Sequence, residues 1–440
     1  MVKTRLSWFD FKCMNHRKNV STISKRDGSW SIYSFALAGL ILVLIIFAMD
    51  VHPVHAQDPE FQSFFSDVCT GSPTGSLATR CAETPGAGGN LSSDSENSLN
   101  PSQPLSSNER PVARAREESG KIQKHAEALR EGDAKEQNMS GTFSTFVNGR
   151  GSWFDRDAGT TERGFDGETW GIDVGLDYRF SRKTVVGMIL SYEQTDSDFD
   201  ADQPGVNFAP ASNEGETEAD SYIIGIFGTY NFSDDFFIEG NAGVGFTDYT
   251  FTRTVVFQES TRTMPQTNVR TDADTDGTQV WVSSGLGYDF HNEALSFGPY
   301  VRATYIRSEI DEYTEKDRSD SGLQMTINVN DRESLTTDIG AMANYSISMN
   351  WGVLVPHAYI EWEHEFDNDA QVTTATYVLD SQGNTFSLQG DDPDRNYVNA
   401  GAGLVSVLPN GWQVLVNYEG LIAYRDLDSS KVTAGVRKEF

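Results

Sequence analysis

From about Thr142 to Phe440 the chain alternates apolar and polar positions. The stretch ETWGIDVGLDYRF shows it most plainly: Trp170, Ile172, Val174, Leu176, Tyr178 and Phe180 share one parity, while Asp173, Asp177 and Arg179 take the other with Gly171 and Gly175. A period of two held over a dozen residues predicts a strand with two unlike faces. The texture recurs in TVVGMILSYEQTD, DSYIIGIFGTYNF, FFIEGNAGVGFTDYTF, TQVWVSSGLGYDF, FGPYVRATYIRS, LTTDIGAMANYSIS, GVLVPHAYIEWEHEF, NYVNAGAGLVSVL and WQVLVNYEGLIAYR. With TFSTFVNGRGSWF in front and KVTAGVRKEF behind, twelve strands are expected.

The connections alternate in length. SRK, SDD, HNEAL, MN and PNG lie on one side, and polar links of up to about 25 residues lie on the other, apart from a brief one near Asp426. Short turns at one rim, long loops at the other and an even strand count predict an all-β fold, a 12-stranded antiparallel up-and-down transmembrane β-barrel. Tyr178, Phe180, Tyr230, Phe232, Tyr288, Phe290 and Trp412 gather near the short turns, where a lipid interface collects aromatic rings. A soluble sandwich explains neither the girdle nor the loop asymmetry. In a closed sheet the last strand pairs with the first, so Val432, Ala434, Val436 and Phe440 are expected to face lipid from the closing strand. Lys438 interrupts that parity and is expected to snorkel towards headgroups.

The N-terminal third reads differently. Lys25 and Arg26 precede the apolar run Phe35 to Met49, and VHA follows, which predicts a signal peptide over residues 1–56. Fifteen apolar residues fall short of the roughly 20 that a spanning helix needs. The leader is long, leaving Met1 and Met14 both open as the start. Residues 57–110 are rich in Ser, Gly, Pro and Asn and poor in aliphatics, so a disordered linker is expected there. Cys69 and Cys81 lie inside it, and in an oxidising compartment they are expected to pair. Residues 111–134 favour helix, with Val112, Ala115, Ile122, Ala126 and Leu129 roughly on a helical period. Such a short polar helix is not stable alone and calls for a polar container.

Several passages, GFDGETWGIDVGLDYRF, LSFGPYVRATYIRSEIDEYTE, MNWGVLVPHAYIEWEHEF, DDPDRNYVNAGAG, PNGWQVLVNYEGLIAYRDL and the terminal GVRKEF, together resemble the C-terminal β-barrel domain of autotransporters, the type V secretion family, over residues 140–440. The resemblance implies a translocator in the outer membrane of a Gram-negative bacterium, monomeric and surrounded by lipid and lipopolysaccharide. It also implies export through the general secretory translocon and insertion by the barrel-assembly machinery, with Val432, Ala434, Val436 and Phe440 as the assembly signal. Residues 111–134 would be the pore or plug helix. Where such proteins carry a long β-helical passenger, only residues 57–110 precede the helix here, so a very short or lost passenger and a structural or surface role are expected. A diffusion pore or a surface adhesin on the same barrel is the alternative. The Asn-Asn junction of self-cleaving members is absent.

Charge and candidate chemistry narrow the picture further. Lys and Arg number 34 against 64 Asp and Glu, a net charge of -30, which excludes a nucleic-acid surface. Eight carboxylates between Asp196 and Asp220 occur with no basic residue, and they read as a solvated extracellular loop. DADTDG places Asp272, Asp274 and Asp276 at the spacing that opens a calcium loop, but its twelfth position is Ser283, inside a strand, so this is a weak candidate and no cofactor is expected. His291, His357 and His364 stand beside no hydrolase motif, so no enzyme is expected. Glu361, Glu363 and Glu365 form an acidic row on one parity, expected to line the lumen and to meet Arg114, Arg116, Lys121, Lys124 and Arg130 of the plug helix.

Overall fold

The computed structural model describes residues 59–103, 112–113, 115–117, 119–120, 142–159, 161–202, 209–211, 215–233, 235–259, 266–367 and 369–440. The leader, residues 1–56, and the choice between Met1 and Met14 lie outside the described residues.

Alternation dictates the architecture. Each strand carries one apolar face and one face of mostly small or polar residues, and twelve such strands satisfy both faces by closing on themselves. They are β1 Thr142–Arg156, β2 Phe165–Ser181, β3 Thr184–Phe199, β4 Gly215–Asn231, β5 Phe236–Phe257, β6 Thr267–Tyr288, β7 Leu295–Ile310, β8 Arg332–Tyr345, β9 Gly352–Glu365, β10 Asn396–Leu408, β11 Trp412–Ile422 and β12 Leu427–Glu439. Every strand pairs antiparallel with its sequence neighbours. β12 returns to β1 from Ser144↔Glu439 to Arg156↔Leu427 and closes the barrel.

The apolar parity faces outward. Trp170, Ile172, Val174, Leu176 and Phe180 of β2 are all exposed, as a lipid-facing surface must be. From Trp170 to Phe180 the strand rises about 34 Å at about 3.4 Å per residue, which a tilt near 40° projects to roughly the 25 Å of an apolar membrane band. Phe180, Tyr230, Phe232, Tyr288, Phe290, Tyr345 and Trp412 ring the short-turn rim. Trp153, Trp170, Tyr222, Phe246, Trp362 and Tyr418 ring the other, long-loop rim, which is the extracellular one. Such a barrel exposes no sheet edge from which detergent can peel a strand. Folded protein is therefore expected to resist SDS until heated, so that unheated and boiled samples migrate differently; equal migration beside a folded control that shifts would count against closure.

Beyond the band, β5 and β6 continue upward as 22-residue strands. The β7–β8 and β9–β10 connections build a second sheet there from Tyr313–Thr314, Met325–Val329, Val372–Tyr377 and Phe386–Gln389. Within residues 57–110, where disorder is expected, the described part, 59–103, is instead ordered. Three helices, α1 Pro59–Thr70, α2 Gly75–Glu83 and α3 Ser93–Leu99, occupy most of 59–99. Phe61, Phe64, Phe65 and Val68 fall at helical spacing on α1 and are buried, in one core with Leu323, Met325, Tyr377, Phe386 and Leu388 from the loops. Average composition hid this because the covering surface lies more than two hundred residues away. The abundant Ser and Thr satisfy backbone ends: Ser92 Oγ caps α3 by accepting from Ser95 N–H at 3.3 Å, and Thr84 Oγ1 accepts from Gly89 N–H at 2.9 Å. A Cys69–Cys81 disulfide ties the end of α1 to α2.

Candidate functional site in the barrel lumen

The inward parity is mostly polar, but it carries one apolar wall. Phe146, Val185, Ile189, Ile223, Phe227, Trp281 and Ile306, from β1, β3, β4, β6 and β7, pack with Val112 and Ala115. Val112, Ala113, Ala115–Glu117, Ser119 and Gly120 are helical, so the container is polar on one side only. Trp281 Nε1 donates to Asn241 Oδ1 at 2.8 Å, and Asn241 Nδ2 donates to Ser119 O at 3.2 Å. One azimuth step from Ala115, about 100° on a helix, Arg116 turns to the other wall.

That wall is acidic. Arg116 Nε lies 2.8 Å from Glu363 Oε1, and its Nη2 lies 2.9 Å from Glu365 Oε2. The guanidinium carbon sits 5.6 Å from the Tyr397 ring centre. Glu363 also accepts from Tyr397 OH at 2.6 Å and Asn399 Nδ2 at 2.9 Å; Glu365 accepts from Ser334 Oγ at 2.5 Å and Leu335 N–H at 3.0 Å. Each carboxylate is thus held from several sides, as a buried charge requires.

The structure brings three of the expected lumen residues together, Arg116, Glu363 and Glu365, and sets Glu361 apart. Glu361 accepts from Tyr300 OH at 2.6 Å and Arg302 Nη2 at 3.2 Å, while Arg302 Nη1 reaches Asp338 at 3.2 Å. Among the described residues its partners belong to the barrel wall. Arg114, Lys121, Lys124 and Arg130 lie outside the described side chains. Further wall pairs join Arg150 to Asp173 at 2.6 Å and to Glu193, and Arg437 to Asp177 at 2.8 Å. Sequence reasoning passed over Arg302, Arg150, Asp338 and Tyr397, although a charged or hydroxylated residue on the inward parity was a usable signal.

At the seam, Val432, Ala434 and Val436 face outward. Phe440, 72% exposed, donates its N–H to Phe143 O at 2.9 Å. Lys438 lies at the short-turn rim: its Nζ sits 5.5 Å from the Trp412 ring and 5.4 Å from the Phe440 ring, and bonds to Asn410 O and Glu439 O. Two ring faces hold the ammonium at the interface.

Asp272, Asp274 and Asp276 lie within β6, not in a loop. Extended backbone spaces alternate residues about 6.8 Å apart, whereas a calcium loop must wrap its oxygens to 2.3–2.6 Å of one ion. Asp272 instead pairs with Arg270 at 3.2 Å and Asp274 with Lys316 at 3.3 Å. The acidic stretch from Asp196 to Asp220 is met by arginines from elsewhere, Arg163 on Asp202 at 2.7 Å and Arg270 on Glu216 at 2.6 Å. At the outer rim, burial and then Asp157, Asp166, Asp200 and Asp428 push the Asp155 carboxyl above its ordinary pKa. Burial, Asp166 and Asp157 do the same to Asp200.

The family model described as the Autotransporter beta-domain matches residues 145–419. Esterase EstA of Pseudomonas aeruginosa is 24% identical over 261 residues, which make up 58% of this chain and 36% of that protein. A protein of Pseudomonas putida encoded in the trpE-trpG intergenic region is 24% identical over 233 residues, 52% of this chain and 35% of its own. The chain therefore spans about a third of the length of these relatives. The translocator domain of the autotransporter NalP from Neisseria meningitidis superposes with a TM-score of 0.53 at 14% identity, covering 73% of this chain and 95% of that one; this likeness is one of fold. The family is generally not enzymatic, and its members in general depend on the secretory translocon and the barrel-assembly machinery. The family match, together with a closed twelve-stranded barrel carrying a lipid-facing apolar band, places the protein in the outer membrane of a Gram-negative bacterium, as a translocator barrel. With well over half its residues matched by the family model, this chain belongs to the autotransporter β-domain family.

Proposed function

We propose that this translocator barrel rests closed on its own N-terminal helix and displays residues 59–103 on the cell surface. The observation that carries the reading is Arg116, which lies in the lumen between Glu363 and Glu365 while Val112 and Ala115 fill the apolar wall beside it. Full-length protein in planar bilayers is then expected to stay mostly silent, and a variant lacking residues 112–141 to conduct in large, steady steps. Steady conductance of the full-length protein would favour a diffusion pore instead.

The working partners in this reading are the secretory translocon, the barrel-assembly machinery and lipopolysaccharide around a monomeric barrel. Nucleic acid is not among them, on account of the net charge of -30. No catalytic role is proposed. The name of EstA describes that protein, and here His357 and His364 engage Asn417 and Asn396, which supports a structural use of both rings. No cofactor or metal enters this reading.

For assembly, we assign the recognition element to Val432, Ala434, Val436 and Phe440. A charge near the membrane interface costs only about 0–1 kcal/mol. Loss of insertion in Phe440→Asp would therefore report recognition rather than lipid solvation. The heat-modifiable fraction in purified outer membranes is expected to fall severely for Phe440→Asp and mildly for Phe440→Tyr; parental insertion of Phe440→Asp would refute the assignment.

A further inference from the structure

Residues 59–103 touch three separate connections and the top of one strand on the extracellular side. Arg163, between β1 and β2, donates to Asn97 O at 2.5 Å and to Ser102 Oγ at 3.0 Å. Val256, at the top of β5, donates its N–H to Ser98 Oγ at 2.8 Å. Leu379, between β9 and β10, accepts from Thr74 N–H at 3.0 Å, and Phe64 stacks on Tyr377 with centroids 5.7 Å apart and planes at 7°. The β7–β8 connection packs its backbone against α2. Gly322 holds φ +84, and a Cβ placed there would lie 2.3 Å from Leu77 N, so this loop backbone fits the start of α2 only as glycine.

A segment of about 45 residues has too little interior to hold a core of its own. Phe61, Phe65, Val68, Leu77 and Leu99 nevertheless have no exposed surface, because residues of the loops complete their shell. The Cys69–Cys81 link fixes α1 against α2, which lowers the entropy lost when the pair docks. We propose that the long loops form a receptor for this segment, which is a lid bound across the outer mouth by its own contacts rather than by its covalent connection to the barrel. The proposal goes beyond the translocator reading and does not depend on how the lumen helix is held.

The test is a full-length chain, oxidised and purified in detergent, with a protease site inserted between Gln103 and Val112. After cutting to completion, judged on boiled samples, the mixture is passed over a size-exclusion column. The N-terminal fragment is expected to co-elute with the heat-modifiable barrel, and at least tenfold less of it to remain in Phe65→Asp and in Gly322→Val. Gly322→Val leaves every apolar side chain of the lid in place and guards against a variant that fails to fold. A parent fragment that separates from a still heat-modifiable barrel would overturn the proposal. Retention in both variants equal to that of the parent would overturn it as well.

Discussion

Arg116→Ala is expected to open the barrel. The guanidinium holds Glu363 at 2.8 Å and Glu365 at 2.9 Å, and both carboxylates are 3% exposed. Removing one side of a buried pair costs about 3–5 kcal/mol, because the charge left behind stays out of water. Were the same pair exposed, the loss would be about 0–1 kcal/mol and no change would be visible. The larger figure corresponds to roughly a hundredfold to several-thousandfold gain in the population with the helix displaced. Val112 and Ala115 keep their apolar wall, so the expected record is frequent, brief openings rather than a permanent channel. A triple variant, Arg116→Met with Glu363→Gln and Glu365→Gln, leaves no buried charge unpaired at this point and should lie closer to the parent than Arg116→Ala does. Planar-bilayer open probability measures both. If Arg116→Ala is as quiet as the parent, the arginine is not the latch.

The twelve strands were legible because period two is written in each of them, and lipid and lumen parities could be read directly from residues such as Trp170 and Asp173. Parity, however, says which face a side chain takes and not which neighbour it meets around the barrel. Glu361 on β9 is buried, and Arg302 on β7, with Asp338 of β8 between them, reaches it. The upper half of β6 was missed for another reason. Above the membrane both of its faces can be polar, so DADTDG looked like a loop, although Val269, Thr271 and Ala273 keep the buried parity running through it. The lid was the largest omission. Ser- and Gly-rich composition gave the correct average and the wrong structure, because six buried apolar residues suffice when the rest of the core comes from loops distant in sequence. Phe61, Phe64, Phe65 and Val68 at helical spacing, beside a pair of cysteines, were the signal available.

Those loops have a charged centre, and Arg253→Met is expected to loosen them while sparing the barrel. Arg253 lies above the membrane band, seven residues past Phe246 on β5. Its Nε and Nη2 donate to the two oxygens of Glu315, each at 2.6 Å, and Nη2 also donates to Leu323 O at 3.0 Å. Glu315 in turn accepts from Met325 N–H at 2.9 Å. Burial works to lower the Arg253 pKa, and Glu315 outweighs it and raises the value overall; burial, then Glu315, likewise pushes the neighbouring Tyr313 hydroxyl well up. Met in place of Arg253 leaves Glu315 charged and dry, again a loss of about 3–5 kcal/mol. The loop sheet and the lid share a core with this pair, so the cost falls on their docking. Arg80, whose side chain is 14% exposed and bonded to Thr267 at 2.6 Å, reports it: when opening is fast, proteolysis follows the open population. Trypsin cleavage after Arg80 should rise about a hundredfold or more in Arg253→Met, fall back towards the parent in Arg253→Met with Glu315→Leu, and stay unchanged in Lys316→Ala, which removes only the exposed contact to Asp274. SDS heat-modifiability should be parental in all three, because the strands within the membrane band contribute nothing to this pair. Cleavage after Arg80 at the parental rate in Arg253→Met would mean that the apolar contacts alone hold the loops, and that the buried pair is dispensable.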